Sequence, residues 1–138
     1  MRALAPDYAK AAILIEKVNA IFRRDRTPNS FASLLYLEIQ PDSGEIKYVN
    51  AGHLPPLLIQ NKSIKELDKG QLALGLQDNT KYIEQTIVLE TNDVFLIYSD
   101  GLSEAMNEHR EFFGDKRIKK TMEGAENKSA RKMGERLE

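Results

Sequence analysis

The 138-residue sequence predicts an α/β (α+β) fold, an α/β/β/α sandwich of two antiparallel sheets flanked by helices. Two observations lead there. The segments that read as strands are joined by short, turn-rich connections, and short connections force antiparallel pairing because parallel neighbours need a long crossover. Two of those segments, residues 31–39 (FASLLYLEI) and 94–98 (VFLIY), are apolar on both faces. Strands look like that when their sheet is covered on both sides. An antiparallel sheet covered in this way needs a second sheet on one face and helices on the other.

The elements follow in order. Residues 7–24 carry Tyr8, Ala11, Leu14, Ile15, Val18, Ile21 and Phe22 on one helical stripe, which predicts an amphipathic helix. Pro6 or Asp7 opens it, and Arg23, Arg24 and Arg26 stand at its C-terminal end, where the helix dipole favours cations. After the loop 27–30 come the strand 31–39, the turn 41–44 (PDSG) and the strand 46–51. Residues 52–56 (GHLPP) break the second strand. A third follows at 57–60, with an extension at 64–67 after the 61–63 turn. Residues 70–79 read as loop and 82–89 as a strand with Ile83, Gln85, Ile87 and Leu89 on one face. The strand 94–98 is the most hydrophobic. Beyond it charge dominates, and short helices are expected at 102–108, 115–122 and 128–137.

Composition removes several function classes. The length suits one domain and not two. Twenty Lys and Arg against 21 Asp and Glu leave a net charge of −1, which disfavours nucleic-acid binding through a basic face. The absence of cysteine excludes disulfide scaffolds, Cys-ligated zinc and thiol catalysis. No apolar run approaches a membrane span, and no apolar segment after Met1 reads as a signal peptide, so the expected compartment is the cytoplasm. Phosphate-loop, dinucleotide-fingerprint, zinc-protease and nucleophile-elbow motifs are all missing.

Two places invite chemistry. Asp100 follows the buried strand and precedes Gly101. A carboxylate at the mouth of a rigid strand suits a hard cation such as Mg²⁺, and glycine permits a tight turn and close approach. On local pattern alone, the stronger reading is a plain Asp-Gly turn or a cap for the next helix. The second place is 50–53 (NAGH), where Asn50 and His53 bracket two small residues at the end of a strand. His53 suits a general acid or a phosphate contact, although a loop histidine held by backbone carbonyls is the commoner case. His109 reads as surface.

The series FASLLY (31–36), Gly44, YVNAGHLPPLL (48–58), LGL (74–76), LIYSDGLSEAMN (96–107) and FGDKR (113–117) resembles, in order and spacing, the bacterial PPM-type (protein phosphatase 2C-like) serine/threonine phosphatases of the stage II sporulation E class. That class includes regulators of the sigma-B stress response. The resemblance implies hydrolysis of phosphoserine or phosphothreonine on a regulatory protein of the anti-sigma-factor antagonist type. Two Mn²⁺ or Mg²⁺ ions would activate the attacking water. It places a metal ligand on Asp100, overturning the local preference for a turn, with Gly101, Asn50 and His53 as further lining. It also implies two family segments that this sequence lacks, a Gly-Asp hairpin before the first helix and an Asp-Asp-x-Thr strand after the last. Residues 1–138 are therefore expected to be a partial domain, cut at both ends and inactive by itself. One carboxylate holds such a metal weakly. The resemblance allows for a sensor domain upstream in the parent, and exposed sheet edges predict self-association. The alternative from another class is a non-catalytic interaction module that keeps the phosphatase fold.

Overall fold

A computed structural model of the protein describes residues 10–25, 27–125 and 128–137. It contains six strands and four helices in the order α1 (Ala11–Asp25), β1 (Leu34–Gln40), β2 (Glu45–Ala51), β3 (Leu57–Gln60), β4 (Ser63–Glu66), β5 (Gln85–Val88), β6 (Val94–Leu96), α2 (Asp100–Ser103), α3 (Gly114–Met122) and α4 (Ala130–Gly134). The strands form two three-stranded sheets, β1-β2-β5 and β4-β3-β6, and every pairing is antiparallel. The α+β class with two antiparallel sheets is borne out. The chain divides into two compact units, one from the residues up to His53 with Lys69–Val88 and the other from Leu54–Asp68 with the residues after Leu89.

In the first unit β2 is the central strand. It pairs with β1 from Leu34↔Ala51 through Gln40↔Glu45 and with β5 from Glu45↔Val88 through Tyr48↔Gln85. Its Ile46, Tyr48, Val49 and Ala51 are all nearly inaccessible to solvent. Val49 and Ala51 share a face with Tyr36 and Leu34, and onto that face α1 packs Ala11, Leu14 and Ile15, with Val18 and Phe22 alongside. The Tyr48 hydroxyl donates to Gln85 Oε1 at 2.5 Å and fixes the β2–β5 register.

The helix stripe departs from its sequence reading at one turn. Ile21 is exposed, whereas Asn19, four residues beyond the buried Ile15, is 2% exposed. Residues four apart on a helix face the same way, so position 19 lies on the buried arc whatever its polarity. A buried amide must then find partners. Asn19 Oδ1 accepts from Gly75 N–H at 2.8 Å, and its Nδ2 donates to the Gln77 carbonyl at 3.1 Å. One turn later Arg23 Nη1 donates to the Gly75 carbonyl at 2.6 Å, and the guanidinium pairs with Asp78. The α1 helix thus clamps the 75–78 loop. Its N-terminus is held by Glu84, whose carboxylate accepts from Ala11 N–H at 2.8 Å, where the helix dipole favours negative charge. The expected opening at Pro6 or Asp7, and Arg26 at the far end, lie outside the described residues.

In the second unit Ile59 of β3, Ile64 of β4, and Val94 and Leu96 of β6 share one sheet face. Met122 of α3, Ala125, Met133 of α4 and Leu137 pack with them. Ser129 caps α4 by accepting from Lys132 N–H. Lys119 Nζ lies 2.9 Å from Glu66 Oε2 and ties α3 to β4.

Several boundaries differ from the expected ones for identifiable reasons. Residues 31–33 do not extend β1, because Ala32 exchanges both backbone hydrogen bonds with Leu74 instead. Residues 82–84 do not extend β5: Tyr82 turns inward to donate to the Leu72 carbonyl, and Ile83 N–H binds Gln71 Oε1. The 102–108 helix shrinks to the single turn of α2. Past it Asn107 Oδ1 accepts from both His109 and Glu111 N–H and folds residues 105–113 into a hairpin. Such local side-chain bonding competes with helix formation.

Asn19→Ala leaves the buried Gly75 N–H without its acceptor, while the Gln77 carbonyl keeps the Thr80 hydroxyl. It is expected to cost about 1–3 kcal/mol, read as a lower urea midpoint at unchanged slope.

Candidate functional site

Asp100 lies four residues beyond the end of β6. Ser99 is extended and precedes α2, of which Asp100 is the first residue. Ser99, not Asp100, occupies the cap position, and no side chain caps this turn. The Asp100 carbonyl is held twice, by Glu104 N–H at 2.7 Å and by Ser103 Oγ at 3.2 Å. Its carboxylate makes no hydrogen bond or ion pair among the described residues, and the residue is exposed. The backbone is therefore fixed while the acid is free to take a ligand.

Gly101 has a helical rather than left-handed backbone, and a Cβ built there meets nothing closer than Ser99 Oγ at 3.5 Å. The tight-turn reading of Gly101 is corrected on this point. Nothing in this chain's own folding requires glycine at that position.

The segment before Asp100 is anchored through Tyr98, whose hydroxyl lies 3.3 Å from Asp115 Oδ1 in the first turn of α3. Burial, reinforced by the negative charges of Asp115 and Glu66, pushes the Tyr98 phenol up to about 12. Burial also raises Tyr36, with Glu38 adding to it, and Tyr82, with Glu16 adding to it.

Asn50 and His53 belong to the first unit and touch each other. Asn50 is 3% exposed. Its Oδ1 accepts from His53 N–H at 2.8 Å and its Nδ2 donates to the His53 carbonyl at 3.0 Å. The amide closes the turn that ends β2. Between them Gly52 has φ +74°, and a Cβ there would sit 2.6 Å from Ala73 Cβ, so glycine is required for conformation and space alike. Every polar atom of the Asn50 side chain is spent on this turn. His53 is half-buried, and Asn50 fixes its backbone at both N–H and carbonyl.

A divalent cation needs several oxygen ligands. Among the described residues no three His, Asp or Glu side chains come together. The residues present do not make a metal centre; they offer the single carboxylate of Asp100. No helix among them is long and apolar enough to cross a membrane.

Sequence reasoning did not find the buried place of Asn19, the partners of Arg23, the Tyr98–Asp115 contact or the turn held by Asn107. Only Asn19 left a signal, a polar side chain at helical spacing inside an apolar stripe. The other three depend on partners distant in sequence or on turn chemistry.

Comparison with known proteins supplies the wider context. The family model "Stage II sporulation protein E (SpoIIE)" matches residues 1–137. Protein IcfG of Synechocystis sp. is 29% identical over 93 residues, which is 67% of this chain and 15% of that protein. The phosphoserine phosphatase RsbU of Bacillus subtilis is 24% identical over 98 residues, 70% of this chain and 29% of that protein. Among solved structures, the PP2C phosphatase domain of the cell fate determinant SpoIIE from Bacillus subtilis superposes with a TM-score of 0.76. It shares 17% identity and covers 99% of this chain and 40% of the solved one. The likeness extends to the fold throughout, and the chain spans less than a third of the length of either curated relative.

Two outcomes follow. Gly101→Ala should leave stability unchanged or raise it by about 0.5–1 kcal/mol, the helical advantage of alanine, whereas Gly52→Ala should lower it; denaturant titration reads both. Because the Tyr98 phenol has its folded pKa above the ordinary 10, its contribution to stability is whole below pH 10 and is lost as pH rises through about 12. Tyr98→Phe should remove the step near pH 12 from the near-ultraviolet tyrosinate titration and flatten the alkaline loss of stability.

Proposed function

The chain belongs to the stage II sporulation protein E family, and on that premise we propose that it is part of a phosphatase domain that hydrolyses phosphoserine or phosphothreonine on a regulatory protein. The observation that carries the reading is the family match over residues 1–137, in which Asp100 stands on a fixed backbone with its carboxylate unengaged. The kinship with RsbU, a phosphoserine phosphatase, supports a phosphoserine ester as the bond cleaved, and the motif resemblance points to a regulator of the anti-sigma-factor antagonist type as the substrate. A cytoplasmic setting and an upstream sensor domain belong to the same proposal.

In this reading Mn²⁺ or Mg²⁺ is the cofactor of the parent domain and Asp100 is one of its donors. The remaining donors come from outside the described residues, since one carboxylate does not chelate a hard cation. Gly101 leaves open space beside Asp100, and Asn50 sets the backbone that presents His53. The isolated chain is then a folded but inactive part of the enzyme. The absence of a donor cluster among the described residues also favours a second reading, an interaction module that keeps the fold without the chemistry.

The tests are direct. Calorimetric titration of the chain with Mn²⁺ should show no saturation below roughly 1 mM, the weak end for hard-cation sites. The chain should give no Mn²⁺-dependent release of phosphate from a phosphoserine peptide. The longer parent protein should release it, and Asp100→Ala there should lower turnover by roughly a hundredfold or more, as loss of a metal worth several kcal/mol implies. Metal-dependent turnover by the isolated chain refutes the claim of inactivity. A parent that binds its phosphoprotein without turning it over establishes the interaction module instead.

A further inference from the structure

Asp100 is reached by three residues that lie outside the sheet. The pairing of β3 with β6 ends at Leu57↔Leu96, and residues 97–99 belong to neither strand nor helix. The hydrogen bonds that shape the turn at Asp100 are local. Leu102 N–H donates to the Ser99 carbonyl at 3.0 Å, and Glu104 N–H and Ser103 Oγ both donate to the Asp100 carbonyl. Bonds that span three or four residues give the turn its shape and travel with it. They do not decide where it stands. A bond that does is the one from the Tyr98 hydroxyl to Asp115 Oδ1, which spans 17 residues.

Asp115 in turn has a fixed place. It lies in the first turn of α3, where the helix dipole favours an acid. Ile118 and Met122 seat that helix and are fully buried. Lys119, one turn beyond Asp115, is tied to Glu66 of β4 at 2.9 Å. Position therefore passes from the core of the second unit through α3 and Asp115 to Tyr98, two residues before Asp100. We infer that Tyr98 is a positioning residue: its hydroxyl, held by Asp115, sets where the turn presents the Asp100 carboxylate. What Asp100 does there rests on the phosphatase reading, whereas its placement by Tyr98 does not. Phenylalanine fills the same space as tyrosine and lacks only the hydroxyl, so Tyr98→Phe removes the tie and little else.

The test has one arm on the 138-residue chain and one on the longer parent protein. In the chain, amide exchange followed by NMR reads how often the turn opens. Tyr98→Phe should speed exchange of the Glu104 N–H about three- to tenfold, the worth of one such hydrogen bond. The Leu67 N–H, bonded to the Pro56 carbonyl, should not change. Asp115→Ala should match Tyr98→Phe, and the two together should do no more than either alone, because both break one contact. Asp115→Asn keeps an Oδ1 acceptor and should restore the slow exchange. In the parent, Tyr98→Phe should lower kcat on a phosphoserine peptide by about the same three- to tenfold with KM unchanged, and Asp115→Asn should leave kcat as it was. Glu104 exchange indifferent to Tyr98→Phe overturns the proposal. So do additive effects of the two substitutions, or an active parent whose kcat ignores Tyr98→Phe. A wild-type parent without turnover overturns the phosphatase reading instead, and the exchange rates then decide the positioning by themselves.

Discussion

Burial of β2 on both of its faces is the constraint from which the first unit follows. Side chains alternate along a strand, so a one-residue slip exchanges its two faces. Where one face is polar such a slip exposes the core. Here Val49 and Ala51 are buried on one side, and Ile46 and Tyr48 on the other. Hydrophobicity alone therefore discriminates poorly between registers. Polar contacts discriminate instead. The Tyr48–Gln85 hydrogen bond sets β5, and the Asn50 amide terminates the strand by folding His53 back upon it. Gly52 then passes close enough to Ala73 that no side chain fits between them.

The two places singled out for chemistry differ in how their polar atoms are spent. Asn50 is saturated by its own turn, and this makes it a positioning residue. Asp100 has its carbonyl doubly bonded and its carboxylate unbound, so all the rigidity lies in the backbone and all the unused bonding capacity in the side chain. That combination suits a donor to something the chain does not itself contain. The same Asp-Gly pair reads as an ordinary turn by its local pattern and as a proposed metal donor only by the resemblance of the motifs around it.

Much of the architecture was legible because it rests on local signals. The antiparallel pairing followed from turn-rich connections such as 41–44. The amphipathic helix was legible except at Ile21 and Asn19, where a polar residue took the buried arc. Boundaries were misplaced where a partner outside the strand took over, as Leu74 does for the Ala32 backbone and the Leu72 carbonyl for Tyr82. The single turn of α2 was hidden because Asn107 binds two backbone N–H groups that a helix would have used. Of the candidate site, Asp100 was visible only as half of an Asp-Gly pair, and its meaning came from the order of motifs around it. The clamp of Asn19 and Arg23 on the 75–78 loop had no local signature beyond one polar residue on an apolar stripe.

The interleaving of the two units bears on how the chain is made. The helix α1 is the first element of its unit in chain order, yet its N-terminal N–H is satisfied by Glu84, 73 residues later. The loop it clamps begins at Gly75. Between these segments the chain completes the β3–β4 hairpin, which belongs to the other unit. The apolar face of α1 finds β1 and β2 before that hairpin is made, but its N-terminal N–H and the loop it clamps come only afterwards, and the first unit closes only after β5 has emerged. At about 5–20 residues per second that wait lasts several seconds, far longer than a helix takes to form or fray. A pause within residues 54–68 would leave β2 without β5 and α1 without the 75–78 loop that it clamps.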